Sequence, residues 1–457
     1  MQRGADVASV TGAERAARVT KALDGGHVAG LTRLAAHGES ESPNMVIRRD
    51  NLDALTRLAA SFSERFRCIY IDPPFNSGRI FREYHDAWDP EAWKAMMAPR
   101  LRALRPLLRR DGAIFAEIDD TQLGCLLLLM DDVFGSENRI AIVTVVRSAA
   151  TGHKAINRGP VNVTDYLLVY AKERRFFRPS VVVRKRPGRD PAYNLYLENP
   201  EDAPSAWRFS PLKAIVAKRL EHPGRAAAVR ALGAEGFERE VERFSLANAG
   251  RVVRFAQPRY EAVSLAARAL IDRSRTKPER IFWLDRGARH KPMILRGGNR
   301  LLFLADKVRK DDAGEPYVAE PLTNVWNDIP FQGIAREGGV VFSRNKKPER
   351  LLERVLTLGT EPGDWVLDPF LGSGTTAAVA HKMGRRYVGI EQSDTLERLC
   401  IPRLARVVDG SDKTGITRAR GWSGGGGFAR APFSRATSTP RCSTNAPPRR
   451  TPRHGRR

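Results

Sequence analysis

Two short acidic–proline turns hold the residue types in this chain that could do chemistry. The first is Ile71-Asp72-Pro73-Pro74-Phe75. The second, 296 positions later, is Leu367-Asp368-Pro369-Phe370-Leu371-Gly372-Ser373-Gly374-Thr375-Thr376. Each follows an apolar run that reads as a buried strand. In the first turn, the Asp72 carboxylate and the Pro73 carbonyl are acceptors that could take the two hydrogens of an amine on a heteroaromatic ring. Such an amine is a poor nucleophile because its lone pair is delocalised into the ring. Two acceptors favour a tetrahedral nitrogen, and their benefit grows as charge develops there. Phe75 could stack on the ring. A base in a duplex would have to be flipped out to reach such a site. The bland reading is that Asp72-Pro73-Pro74 only ends a strand, since proline gives a sheet no amide hydrogen.

The second turn opens a βαβ unit. Glu391 ends the following strand, 23 residues after Asp368. An acidic residue in that place holds ribose hydroxyls in dinucleotide folds. Gly372 and Gly374 allow a ligand to approach the backbone closely. Ala377 stands where a G-x-G-x-x-G loop has its third glycine, and the Gly-Lys-Ser/Thr of a phosphate loop is missing. The better match is an adenosine-bearing cofactor without a pyrophosphate, and S-adenosylmethionine is one. An ordinary tight turn is the alternative. In open α/β sheets ligands sit at the carboxyl ends of strands, where both turns lie.

The elements that must position these turns alternate strand with helix. Order is expected to begin near Met45. A helix follows through Ala60, then the strand Arg67 to Ile71. Residues 91–110 have helical spacing and are stopped by Asp111-Gly112. Strands follow at 113–118, 140–146 and 166–170, with a helix from Leu123 to Phe134. After Lys172 the texture changes to prolines, arginines and aromatics. Strands are expected at 180–186 and 280–284, and a helix pair at 212–232 broken at Pro223-Gly224. The α/β texture then resumes with a helix at 349–358, a strand at 364–367, a helix at 375–383, a strand at 386–391 and a helix at 396–408. The implied fold class is α/β, with one largely parallel sheet interrupted by an insertion. The expected division is an N-terminal extension (1–45, with a possible short helix), a first catalytic half (46–172), an insert (173–330), a second catalytic half (331–410) and a basic tail (411–457).

Composition limits the function classes. A chain of 457 residues with 42% apolar content can bury a full domain and a second one. Its formal net charge is +25, which points to a polyanionic partner, most simply nucleic acid. Residues 411–457 hold eleven Lys/Arg against Asp412 alone, leaving +15 for the first 410 residues. No apolar run reaches membrane-spanning length, and residues 1–26 lack the apolar segment of a secretory signal, so a cytoplasmic, membrane-free protein is expected. Cys68, Cys125, Cys400 and Cys442 form neither a disulfide framework nor a zinc pattern. His85, His153 and His290 show no metal-ligand spacing, and no metal is expected. Lys154, Arg158, Arg184, Lys185, Arg186 and Arg189 suit phosphates or simply a solvated face. Trp283 and Trp326 suit DNA contact less well than core packing.

At these residues the chain resembles the amino-methyltransferases of DNA, in the beta circular order that puts Asp-Pro-Pro-aromatic before the cofactor loop. More closely it resembles the Mod subunits of type III restriction–modification systems. The stretches that carry the resemblance are 68–76, 111–115 with 118–120, 165–172, 324–329, 346–352, 368–376 and 389–391. The resemblance implies a circularly permuted, Rossmann-like methyltransferase sheet, with the insert as target-recognition domain. Asp72, Pro73, Pro74 and Phe75 would hold a flipped base. Asp368, Phe370, Gly372 and Gly374 would line the S-adenosylmethionine pocket, with Glu391 on the ribose. Asp50, Asn51 and Leu52 would border the adenine, and Lys347 and Pro348 would pack near the methionine end. Asp rather than Ser at position 72 favours adenine N6 over cytosine N4. Double-stranded DNA, a restriction subunit and a second copy of the chain are the implied partners. Phe75 departs from the commoner tyrosine but can still stack. From Ala429 onward the Arg-, Pro-, Ser- and Thr-rich tail departs from the family, as a shifted reading frame or a disordered basic arm. Alternatives left open are methylation of cytosine N4, RNA or a protein glutamine, a catalytically weakened DNA-recognition subunit, and an NAD-dependent enzyme.

Overall fold

A computed structural model describes residues 35–76, 89–149, 159–287, 290–311, 313–342 and 346–431. The possible helix before residue 35 and the tail from 432 onward lie outside the described residues, as do His85 and His153. The chain divides into two compact units. One comprises residues up to Ser180 and from Asn324 onward; the other is Val181–Thr323.

The first unit is built on a ten-stranded sheet. Its strands are β1 (Ala35–Gly38), β2 (Met45–Arg48), β3 (Phe66–Ile71), β4 (Leu108–Ile118), β5 (Arg139–Val146), β6 (Thr164–Ala171), β7 (Val325–Trp326), β8 (Trp365–Asp368), β9 (Arg386–Glu391) and β10 (Gly427–Arg430). Their spatial order is β1-β10-β2-β9-β8-β3-β4-β6-β5-β7. The six strands from β10 to β4 are mutually parallel. β6 pairs antiparallel with both β4 and β5. The pairing of β8 with β3 joins the two halves of the sequence at the centre of the sheet.

Strands buried on both faces read as continuous apolar runs, and residues 68–71 of β3 form one. Side chains alternate across it. Ile69 and Ile71 join a core with Leu55 and Leu58 of helix α1 (Asn51–Phe62), Trp93 and Met97 of α2 (Pro90–Leu104), and Met130 of α3 (Leu123–Phe134). Cys68 points the other way, toward Gly359 at the end of α4 (Glu349–Gly359). Two further helices follow, α5 (Thr375–Lys382) and α6 (Ile401–Val408), and α5 packs on both α4 and α6.

Several boundaries differ from those read in the sequence. The helix expected over 91–110 ends at Leu104, and a single tighter turn over Arg105–Leu107 leads into β4. Asp111-Gly112 does not stop a helix but lies inside β4, at a register shift against β3. A Cβ on Gly112 would stand 2.8 Å from the Arg67 carbonyl oxygen, so glycine fits this close approach. A strand precedes Met45: β1, from Ala35, pairs with β10. The tail does not leave the fold at Ala429: Phe428 and Ala429 are fully buried in β10, Ala431 is 2% exposed, and His37 stacks on Phe428. Residues 324–330, grouped by texture with the insert, belong to the first unit, where β7 pairs with β5.

The second unit holds a six-stranded antiparallel sheet and a three-stranded one. Helices Leu212–Arg219 and Arg225–Ala247 pack Leu212, Val216, Phe237 and Val241 against Val252 and Leu304. The second of these helices runs past the expected end at Leu232, with a kink at Gly233 (φ 71°). Helix Leu265–Thr276 covers Met293 and Leu295 through Ala267 and Ile271.

A fully buried ion cluster ties the first unit together. Glu349 accepts from Lys382 at 2.8 Å and from Arg403 at 2.8 Å, and Lys382 also reaches Asp412 at 2.6 Å. The Ile416 amide donates to the same Glu349 carboxylate at 3.1 Å. α4, α5, α6 and the segment after α6 are thus pinned to one side chain. Glu349→Ala would leave two buried cations short of a partner and lower unfolding stability by about 3–5 kcal/mol, read as a lower urea midpoint.

Candidate active site

Neighbouring parallel strands β3 and β8 deliver the two turns. Leu367 pairs with Ile69 and Val366 with Cys68, so Asp72 and Asp368 leave the sheet at the same edge. From β8 the chain runs through α5 to β9 on one side. From β3 it runs through α2 to β4 on the other. That reversal is the switch point at which open α/β sheets form a crevice. Here it holds a cavity of about 400 Å³.

One end of the cavity is formed by the glycine loop. The Leu371 amide donates to the Ile390 carbonyl at 3.0 Å, and the Gly372 amide donates to Glu391 Oε2 at 2.9 Å. Glu391 Oε1 accepts from the Ser393 amide at 2.9 Å and from its hydroxyl at 2.7 Å. Oε1 is thus saturated, while Oε2, with one donor, keeps a lone pair for a ligand hydroxyl. Asp368 Oδ1 accepts from the Phe370 amide at 2.9 Å, while burial pushes its carboxyl up to about 7. Asp50 caps α1 by accepting from the Leu52 and Asp53 amides and pairs with Arg100 at 2.9 Å. Arg100 also donates to Asn51, whose side-chain amide donates to the Pro369 carbonyl at 3.0 Å. α1 and α2 therefore hold the cofactor-side loop in place.

The other end is formed by the first turn. Trp93, fully buried in α2, donates its indole N–H to the Pro74 carbonyl at 2.8 Å and fixes the turn. The side chain of Asp72 is 22% exposed, and its Oδ1 lies 3.1 Å from Lys347 Nζ. The same ammonium lies 2.8 Å from Glu117, 4.0 Å from Asp165 and 4.6 Å from the Phe75 ring centroid. Tyr70 donates to the second oxygen of Glu117. Burial pushes Asp72 up to about 8 against the pull of Lys347, with Glu117 adding to the rise. Burial likewise raises Asp165, to about 6. Burial would lower Lys347, but its carboxylates outweigh that and hold it above its ordinary value.

Of the residues singled out in the sequence, Asp50, Asn51, Asp72, Pro73, Pro74, Phe75, Lys347, Asp368, Phe370, Gly372 and Glu391 line this one cavity. Three do not. Leu52 contributes its amide to the cap of α1. Pro348 starts α4 and accepts from the Leu351 amide. Gly374 supports the loop from behind, at φ 79°, where a Cβ would meet Cys400 Sγ at 2.7 Å. Lys347, placed by resemblance beside a methionine end, contacts the Asp72 carboxylate. The sequence reading missed Tyr70, Arg100, Glu117, Asp165 and Lys346. Glu117 had a signal, being an acidic residue inside the apolar strand Ala113-Ile114-Phe115-Ala116-Glu117-Ile118. Among the described residues no group of His, Cys, Asp or Glu is placed to hold a metal ion.

A crevice with a hydroxyl-accepting carboxylate at one end and an amine-accepting turn at the other can hold an adenosine-bearing donor against a heteroaromatic amine. Comparisons with known proteins point the same way. The DNA methylase family profile N6_N4_Mtase matches residues 66–228 and 275–401. The probable type III restriction-modification enzyme HindVI Mod subunit of Haemophilus influenzae is 30% identical over 435 residues, 89% of this chain and 56% of that protein. This chain therefore spans little more than half of that relative. The type II methyltransferase M.EcaI of Enterobacter cloacae is 26% identical over 372 residues, covering 79% of this chain and 70% of that one. Among solved structures, the M1.HpyAVI–SAM complex aligns over 79% of this chain and 98% of its own, at 11% identity and a TM-score of 0.38, too loosely to carry residue roles across. By the extent of the family match, with both turns inside it, the chain belongs to the DNA methylase family.

Proposed function

We propose that the chain is a site-specific DNA methyltransferase that uses S-adenosylmethionine to methylate adenine N6, as the modification subunit of a restriction–modification system. The observation that carries this is the meeting of the Asp72 and Asp368 turns in one cavity. Family membership and relatives named as Mod subunits support it. The charge fits DNA: residues 181–323 hold 28 Lys/Arg against 18 Asp/Glu, and this unit is the proposed reader of target sequence. A restriction subunit and a second copy of the chain belong to the same proposal. Among the described residues no helix is long and apolar enough to cross a membrane.

The residues fit the donor. Glu391 and the glycine loop would hold its ribose, and Asp50, Asn51 and Arg100 brace the wall beside them. When bound, S-adenosylmethionine supplies a sulfonium methyl group that departs with its bonding electrons left on sulfur. Asp72 accepts an N–H of the flipped base and takes the proton the methylated amine must lose. The Pro73 carbonyl accepts the second N–H, and the Trp93 bond to Pro74 keeps that turn from yielding. Phe75 walls the base pocket, with the Lys347 ammonium near its ring.

Methylation mapping of DNA from a methylation-deficient host expressing the chain tests the whole reading. N6-methyladenine at one short site, absent with Asp72→Ala, is the expected result. N4-methylcytosine would keep the mechanism and change the base. No modified base, with cofactor binding intact, would favour a DNA-recognition subunit.

Asp72 must be charged to accept the proton, and its carboxyl stands near 8. Single-turnover methyl transfer should therefore rise with pH to a plateau above that value and fall roughly tenfold per unit below it. Glu391→Ala should weaken S-adenosylmethionine binding by about 10- to 100-fold in calorimetry, the worth of hydrogen bonds to a charged acceptor.

A further inference from the structure

The carboxylates around Lys347 are more numerous than the turn itself requires. Asp72 lies at the end of β3, Glu117 within β4 and Asp165 within β6, and all three face a single ammonium. Glu117 is fully buried and Asp165 3% exposed. Burying ions carries a penalty of several kcal/mol each, and apolar side chains would fill a strand interior without it. The Lys382–Glu349–Asp412–Arg403 cluster lies among α4, α5 and α6 and none of its members lines the crevice between the two turns, so it reads as structural. The Lys347 cluster differs because two members, Lys347 and Asp72, line the cavity.

Glu117 does not line the cavity. Its Oε1 is held by Lys347 at 2.8 Å and its Oε2 by the Tyr70 hydroxyl. It acts on the site only through Lys347 and through its charge on Asp72. Arg147 stands 3.1 Å from Asp165 on the far side, and Asp119 lies close enough to raise Asp165 further. The groups facing Asp72 from the surrounding elements are thus Tyr70 on its own strand, Glu117 from β4, Asp165 from β6 and Lys347 from the segment before α4.

From this arrangement, and resting on the methyl-transfer reading above, we infer that Lys347 and Glu117 are opposed positioning residues for Asp72. The lysine draws the Asp72 carboxylate into its charged form and aims it at the target amine. Glu117 anchors the lysine and at the same time pushes back on the Asp72 charge. The pair sets the pH range in which the amine-accepting turn works. Positive charge that develops on the amine is met by a surplus of fixed negative charge that needs no reorganisation.

The test follows the carboxyl of Asp72 directly, by 13C NMR of protein labelled at the aspartate side-chain carbon, with Asp72→Asn to assign the signal. Lys347→Met should raise the titration midpoint by about one pH unit or more, and Glu117→Gln should lower it. Lys347→Arg should restore a midpoint near that of the unsubstituted protein. The acid limb of single-turnover methyl transfer should move in the same two directions. Lys347→Met should be slower by about tenfold or more at pH 7, with S-adenosylmethionine binding changed less than about threefold. Shifts of the same sign in both variants, an unmoved Asp72 signal, or a large loss of cofactor binding in Lys347→Met would each overturn the inference. A protein inert on DNA whose Asp72 signal still answers to both substitutions would overturn the methyl-transfer reading while upholding the pairing.

Discussion

The parallel pairing of β3 with β8 is the constraint on which the rest of this structure depends. It places two turns that lie 296 residues apart in the sequence at one edge of one sheet. Parallel strands need crossover connections, and here the connections run outward in opposite directions from this pair. The crevice that opens between them is a product of that topology and of no single residue. Ile69, Ile71 and Leu367 make the pairing stable by burying the strands in one core with α1 to α3. The polar groups at the strand ends are then presented by a rigid base.

Around this crevice the chain places charge where an apolar interior would otherwise do. Two lysines sit at the centres of buried carboxylate clusters, yet they serve different ends. Lys382 joins Glu349 and Asp412, and the backbone of residue 416 closes the set. It couples three helices and the segment after α6. Lys347 stands only two residues before Glu349 in sequence, in the segment that leads into α4. The structural cluster therefore fixes the helix that directly follows the lysine facing Asp72. Residues just behind the cavity wall support it in the same indirect way: Gly374 allows the loop to pack on Cys400, and Trp93 secures the carbonyl of Pro74.

The edge of the sheet gives a second case of remote parts acting together. β10, from the beginning of the basic tail, lies between β2 and β1. Its composition, rich in glycine just before Phe428, does not read as a strand. Four consecutive glycines, 424–427, provide the approach: a Cβ on Gly427 would lie 2.6 Å from the backbone of Glu39. The pairing with β1 supplies the hydrogen bonds that local propensity does not.

The sequence by itself determined the alternation of strands and helices in the first unit, because buried parallel strands and amphipathic helices have distinct apolar periods. It also marked the two turns as candidate sites, because acidic residues beside proline or glycine at the carboxyl ends of strands lie where open α/β sheets bind ligands. Eleven of the residues it marked line the cavity, since each lies within a few positions of a strand end or helix start. What it did not contain was any distance between segments. Whether Lys347 faced a cofactor or the Asp72 carboxylate depended on how α4 docks against β3 and β4. The roles of Glu117 and Asp165 were likewise undecided, because a carboxylate in a strand has no partner until another strand or loop is packed beside it. Those contacts join residues more than a hundred positions apart, and only tertiary packing brings such groups within the few ångströms at which one charge sets the state of another.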